Sequence, residues 1–310
     1  MSDDTNKARV YRLKKDYSKL EKRLPQVRET LPAEVEDQPV GKPKRKVATA
    51  SKKKLSRPLF IAIIACSMVF VFSTAMFLKD FIPQLQARSE RTEINEVGRA
   101  AMPLGSKIEE NIKQPPDFNK LIETNKEVVG WVTMPIAEVD DPIVQHNDND
   151  YYLTHSFKKK SSSSGAIFLD YNNAADFSDQ NTIVYGHAMN NGSMFGKLYK
   201  FRDSDAYEKD PFIIIYLSDG RVFVYKIFAV VEFDASEDYR SAYYGNRFGE
   251  FLNNIRARSR INSTTRVSTN DKIITLSTCT NRIENGRLAV FGVLLNPNGE
   301  EIDFSEHKKP

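Results

Sequence analysis

Cysteine is nearly absent from this chain: 310 residues hold Cys66 and Cys279, one tryptophan and four histidines. Two cysteines build no disulfide framework, and neither stands in a CxxC pair. There is no HExxH pattern and no glycine-rich phosphate loop, so the usual zinc and nucleotide sites lack their residues. No metal site and no cofactor is expected. No internal repeat is visible. A net positive balance is also missing from most of the chain. Residues 1–58 carry 17 Lys and Arg against 8 Asp and Glu, a balance of +9, whereas residues 59–310 carry 28 against 33, a balance of −5. A nucleic-acid binder needs its positive charge on the folded module, so this division excludes that class of partner.

One long apolar run is present. Leu59–Leu78 reads LFIAIIACSMVFVFSTAMFL, twenty residues without a charge. At ~1.5 Å rise per residue, such a helix crosses the ~30 Å hydrocarbon core of a bilayer. A cleaved signal peptide fits poorly, because 58 residues precede the run and the run exceeds an ordinary signal core. Eight basic residues lie just before it in KPKRKVATASKKKLSR, while KDFIPQLQ follows. By the positive-inside rule the N-terminus stays in the cytoplasm and residues 79–310 lie outside, tied to membrane lipid through 59–78. Outside the membrane thiols normally pair. Cys279 has no partner there, which leaves an intermolecular bridge, a free reactive thiol or a buried inert side chain.

The expected organisation is a basic cytoplasmic tail and linker (1–58), a transmembrane signal-anchor helix (59–78), an extracytoplasmic stalk or helical segment (79–115), a folded domain (116–304) and a short tail (305–310). Within the first tail, Val10, Leu13, Tyr17, Leu20 and Leu24 form a stripe of two heptads, too short for a coiled coil. In the folded domain, DFNKLIETNKEVVGW reads as a short helix closed by Gly130. Eight strand-like runs follow: GWVTMP, DPIVQ, GAIFLD, NTIVYGH, FIIIYL, RVFVYKIFAVVEF, DKIITLST and RLAVFGVLL. They are β-branched and aromatic, and Gly, Pro, Asn and Asp bound them. Helices are expected at 193–201 and 246–260. Acidic EVDDP reads as a turn, and DPF at 210–212 as a turn into a strand. Strands without regular βαβ alternation indicate a mainly β fold, a closed or nearly closed barrel with helical insertions.

Chemistry concentrates at strand ends. His187 closes NTIVYGH, Cys279 closes KIITLSTC, and Arg287 opens RLAVFGVLL. A thiolate nucleophile needs a proton shuttle and a group that stabilises the oxyanion, and these three residues offer the set without a metal. His146 and His155 flank NDNDYY as surface-loop positions, and His307 lies in the terminal EHKKP.

These residues resemble the sortase signature, a TLxTC box with an upstream histidine and an arginine-initiated strand. NKEVVGWVTM, PIVQHNDNDYYLTHSF, GAIFLDYNN, NTIVYGHAMNNGSMFGKL and the helix at 246–260 are similar to class B sortases in particular. The resemblance covers about residues 117–295. It implies an eight-stranded sortase β-barrel and a cysteine transpeptidase. Cys279 would attack the carbonyl of a threonine in a C-terminal sorting motif of a surface protein and form a thioacyl-enzyme. His187 would protonate the leaving amine and deprotonate the incoming one, and Arg287 would bind the oxyanion or substrate backbone. Asn149, Leu153, Tyr185, Ser277 and Thr278 would line the substrate groove. The acceptor would be an amine of peptidoglycan on a Gram-positive surface, or a pilin lysine in a pilin-polymerising enzyme. A hydrolytic cysteine peptidase and an anchored binding module with a buried cysteine are the other readings. Three departures or rivals stand out. Thr280 occupies a position where class B members often carry an acid, Arg282 competes with Arg287, and DPF is similar to the class C lid motif but stands after the His187 segment.

Overall fold

The uncharged run is helical, and the helix continues past it. The computed structural model describes residues 56–98, 115–202, 204–280 and 285–297, and in it helix α1 runs from Arg57 to Gly98. Phe70, Val71 and Phe72 in its first half are 65–72% exposed. Among the described residues, α1 is the one helix long and apolar enough to cross a membrane. The hydroxyls of Ser67 and Thr74 donate to the carbonyls of Ile63 and Phe70 at 2.8 Å, so neither is left unpaired in apolar surroundings. After Leu78, where the sequence suggests a stalk or a helical segment, α1 passes through Pro83 as one helix. Its last turns then change character and grip the folded domain. Arg91 forks onto Asp141 at 2.5 and 2.6 Å, Asn95 Nδ2 donates to the Asp140 carbonyl at 2.8 Å, and Ile94 joins an apolar cluster with Trp131. From Phe60 onward the described residues form one compact unit. The stripe from Val10 to Leu24 and the 305–310 tail lie outside the described residues.

Among the described residues three further helices, α2 (Phe118–Thr124), α3 (Ser204–Lys209) and α4 (Phe248–Arg258), accompany eight strands. The strands are β1 Val128–Met134, β2 Val139–Val144, β3 Ile167–Leu169, β4 Asn181–Tyr185, β5 Phe212–Leu217, β6 Val222–Asp234, β7 Ile273–Thr280 and β8 Gly286–Leu294. They close into a barrel in the order β1-β2-β3-β4-β7-β8-β6-β5, which removes the exposed edges an open sheet would carry. Two neighbouring pairs, β2–β3 and β4–β7, are parallel. Many strands are apolar on both faces because both faces are covered. Val132 and Met134 of β1 share the interior cluster with Ile213 and Ile215, whereas Trp131, Ile214 and Tyr216 belong to an outer cluster with Ile94 and Leu121. A second outer cluster sets Phe228, Val231 and Phe291 against Phe248, Leu252 and Ile255 of α4.

The helix expected at 246–260 is α4, entered through a 3-10 turn at Gly245–Arg247. The helix expected at 193–201 is only a 3-10 turn, Leu198–Arg202. Met194 adopts φ 53° just ahead of it, a left-handed backbone that no α-helix contains. Gly130 does not close a helix. α2 ends at Thr124, Asn125 turns extended (φ −149°, ψ 112°), and Gly130 lies within β1. There a Cβ would come within 3.0 Å of the Tyr216 carbonyl oxygen. EVDDP is not a turn beyond Glu138, because β2 begins at Val139. Its acids have built-in partners: Asp140 Oδ1 accepts from Trp131 Nε1 and Thr133 Oγ1, both at 2.8 Å, and Asp141 takes Arg91. DPF does lead into a strand, β5, at Phe212.

Candidate active site

Three neighbouring strands bring the chemistry-bearing residues to one end of the barrel. β4 and β7 run parallel, with Tyr185 level with Ser277, and the Gly186 N–H extends the ladder to the Ser277 carbonyl at 3.2 Å. His187 stands two residues beyond Tyr185, and Cys279 two beyond Ser277. Across the antiparallel β7–β8 pair, Cys279 is opposite Arg287. Residues distant in sequence thus converge through strand register alone. The side chains of Cys279 and Thr280 lie outside the described residues, as does all of Arg282.

The segment after β4 fixes His187 locally. A Cβ at Gly186 would lie 2.9 Å from two ring atoms of Phe195, and the Phe195 N–H donates to the His187 carbonyl at 3.0 Å. On the imidazole, Nε2 is 2.7 Å from the Leu153 carbonyl oxygen. A carbonyl only accepts, so Nε2 carries the hydrogen and Nδ1 is the nitrogen free to exchange a proton. Leu153 ends a 3-10 turn, Tyr151–Leu153, braced by stacked rings. Tyr151 lies between His155 at 4.1 Å and His146 at 4.5 Å, centroid to centroid. These two histidines are therefore half-buried props of that turn, not free surface-loop residues. His307 falls outside the described residues.

A cleft of about 230 Å³ opens at this end. Asn149, Leu153, Tyr185, His187, Ser277, Thr278 and Arg287 all line it, seven of the eight site residues named from sequence. Asp150, Phe168, Gly186 and Arg240 complete the wall. Tyr185 donates its hydroxyl to Asp170 at 2.8 Å. Burial first, and then the Asp170 carboxylate, push the Tyr185 phenol well above its ordinary pKa, so it stays protonated. Ser277 Oγ pairs with the Tyr239 hydroxyl at 2.7 Å. Thr278 Oγ1 is buried without a hydrogen-bond partner among the described residues. Arg287 Nη1 donates to the Gly286 and Asn285 carbonyls at 3.2 and 3.3 Å. Among the described residues no group of three or more His, Cys, Asp or Glu is placed to hold a metal ion.

Sequence reasoning missed Arg240 and Asp170. Arg240 sits between β6 and α4, in a loop with no pattern of its own. Asp170 follows a strand and precedes two asparagines nearby, which is also how an ordinary turn is spelled.

Comparison with known proteins agrees with this geometry. A family model described as a sortase domain matches residues 132–295. Sortase B of Listeria monocytogenes is 39% identical over 183 residues, spanning 58% of this chain and 74% of the relative. The crystal structure of sortase B from Bacillus anthracis in complex with AAEK1 superposes with a TM-score of 0.59 at 29% identity, covering 69% of this chain and 98% of that one. A Streptococcus pyogenes class B sortase involved in pilus biogenesis gives a TM-score of 0.53 at 30% identity, covering 57% and 97%. The family model alone takes in more than half of the chain, and its box, histidine and strand-initial arginine meet at one end of an eight-stranded barrel: the chain belongs to the sortase family, in its class B, and is a cysteine transpeptidase.

Proposed function

We propose that this transpeptidase cleaves a C-terminal sorting motif of secreted proteins after threonine and passes the acyl group to an amine of peptidoglycan. The reading rests above all on the convergence of three strand ends, those of β4, β7 and β8, at a cleft whose walls carry the expected groove residues. Cys279 is the nucleophile. The thiol proton passes to His187 Nδ1 as the sulfur bonds to the threonine carbonyl carbon, and the carbonyl electrons move onto oxygen, where Arg287 supplies fixed positive charge. When the tetrahedral adduct collapses, the C–N bond breaks. The leaving amine takes a proton from the His187 imidazole, and a thioester remains. The incoming amine loses its proton to His187 as it attacks the thioester. The thiolate departs and the cycle closes.

Anchoring belongs to the same proposal. Residues 59–78 span the membrane with the N-terminus in the cytoplasm and residues 79–310 outside. The exposed apolar half of α1 and the basic flank before it support this. The domain limits follow, with a sortase domain over 116–304. A second acceptor, a pilin lysine, is favoured by one observation: the Streptococcus pyogenes neighbour is a class B sortase involved in pilus biogenesis.

The test uses the full chain in detergent micelles and a library of peptides with varied four- or five-residue motifs, with and without an added amine nucleophile. Cleavage after threonine, amide product only when amine is present, and loss of both in Cys279→Ala are expected. Equal hydrolysis with no amide product would make the protein a peptidase in practice and overturn the reading.

A further inference from the structure

Behind the cleft wall lies one carboxylate that the reaction itself does not use. Asp170 follows β3 and is only 4% exposed. Four donors converge on it. Asn149 Nδ2 and the Tyr185 hydroxyl reach Oδ2 at 2.9 and 2.8 Å. The Asn172 backbone N–H and Nδ2 reach Oδ1 at 2.9 and 3.2 Å. A side chain meeting four donors must accept on both oxygens, which a carboxylate does and a carboxamide does not. The main chain of Asp170 is pinned as well, since its carbonyl accepts from Gln145 Nε2 at 3.0 Å and its N–H donates to the Ile183 carbonyl at 2.9 Å.

The consequence falls on the two cleft residues it holds. The Tyr185 hydrogen is committed to Asp170, so toward the cleft the phenol oxygen can only accept. Asn149 is fixed from both ends, because its Oδ1 also accepts from the Tyr171 backbone N–H at 3.1 Å. The amide is thereby oriented, with one N–H and one carbonyl lone pair left for a ligand. We infer that Asp170 is a positioning residue that sets the Tyr185 oxygen to read an N–H donor of the sorting peptide, a backbone amide or a carboxamide side chain, and holds the Asn149 amide in one orientation beside it. The inference rests on the peptide-cleaving reading above and adds the polarity of recognition and the residue that imposes it. Asp170 touches no reacting atom, so its influence falls on binding more than on turnover.

The experiment takes the best-cleaved library peptide and the same peptide N-methylated at one backbone position at a time, with full-length enzyme in micelles. Wild type, Asp170→Asn, Tyr185→Phe and the double variant are compared. For Asp170→Asn, KM should rise about tenfold while kcat changes by twofold at most, as expected when one hydrogen bond to a charged group is lost. One N-methyl position should raise the wild-type KM by a similar factor, and that penalty should vanish in Tyr185→Phe. The double variant should be no worse than the poorer single variant, because both remove the same arrangement. An Asp170→Asn KM within twofold of wild type, or single-variant penalties that multiply, would overturn the inference. Should Asp170→Asn fail to fold, the N-methyl profile of Tyr185→Phe decides alone, and an unchanged profile overturns it. If wild type cleaves no library peptide, the peptide-cleaving reading falls and this inference with it, an outcome distinct from cleavage with an indifferent Asp170.

Discussion

At the scale of the residue, Gly186 decides where His187 can stand. Its backbone does not need glycine, since its φ is not among the positive values. The space does: a β-carbon would meet the Phe195 ring at 2.9 Å, and the buried ring has little room to retreat. Gly186→Ala should therefore cost about 1–3 kcal/mol by overpacking. It should also move the imidazole off the Leu153 carbonyl and lower kcat/KM tenfold or more. Thermal unfolding and steady-state kinetics on one preparation measure both, and unchanged activity in a destabilised variant would separate the ring from the histidine. The proposed catalytic residues stand out in the sequence because each sits at a strand end beside its own signal. Asp170 does not, for a buried acid that orients two neighbours is spelled like a turn. Nothing in the order of letters says that four donors surround it.

At the scale of the element, the loop that starts at His187 is tethered to the turn between β1 and β2. Glu138 pairs with Lys197, and with Lys200 at 3.1 Å, while Lys200 Nζ also donates to the Ile136 carbonyl at 3.0 Å. The Lys197 hydrogen bond, ahead of Lys200, holds the Glu138 carboxyl below the ordinary range of a glutamate. A depressed folded-state value means that the contribution is complete above the unfolded pKa. It is lost as pH falls through the folded one. Both partners are about a third open to solvent, so it stays below about 1 kcal/mol. Glu138→Gln should lower stability at neutral pH and flatten the fall between about pH 5 and pH 3, as denaturant melts across that range will measure. A variant curve parallel to wild type would mean that the tether carries no stability. The short helix expected over this loop failed for a related reason. Its apolar residues have helical spacing, but Met194 is left-handed and the segment is held by tertiary contacts.

At the scale of the whole molecule, one continuous helix joins an apolar segment to a catalytic barrel. The ion pair of Arg91 with Asp141 and the burial of Ile94 tie its far end to β2 and the outer cluster. That continuity was invisible in sequence, because the polar residues after Leu78 give the helix no single apolar face. The eight strands were visible, since β-branched runs bounded by turn residues allow little else. Their closing order was not, for the parallel β4–β7 pair joins segments far apart in the chain, and this pair sets Tyr185 level with Ser277, each two residues ahead of His187 and Cys279. In the proposed cycle the acyl group passes through Cys279. Intact-mass spectrometry of the full chain mixed with a cleavable sorting peptide, quenched in acid within the first turnovers, tests it most directly. A mass gain equal to the acyl fragment ending in threonine is expected, mapped to Cys279, removed by hydroxylamine and absent in Cys279→Ala. An adduct on another residue, or continued cleavage by Cys279→Ala, would contradict it.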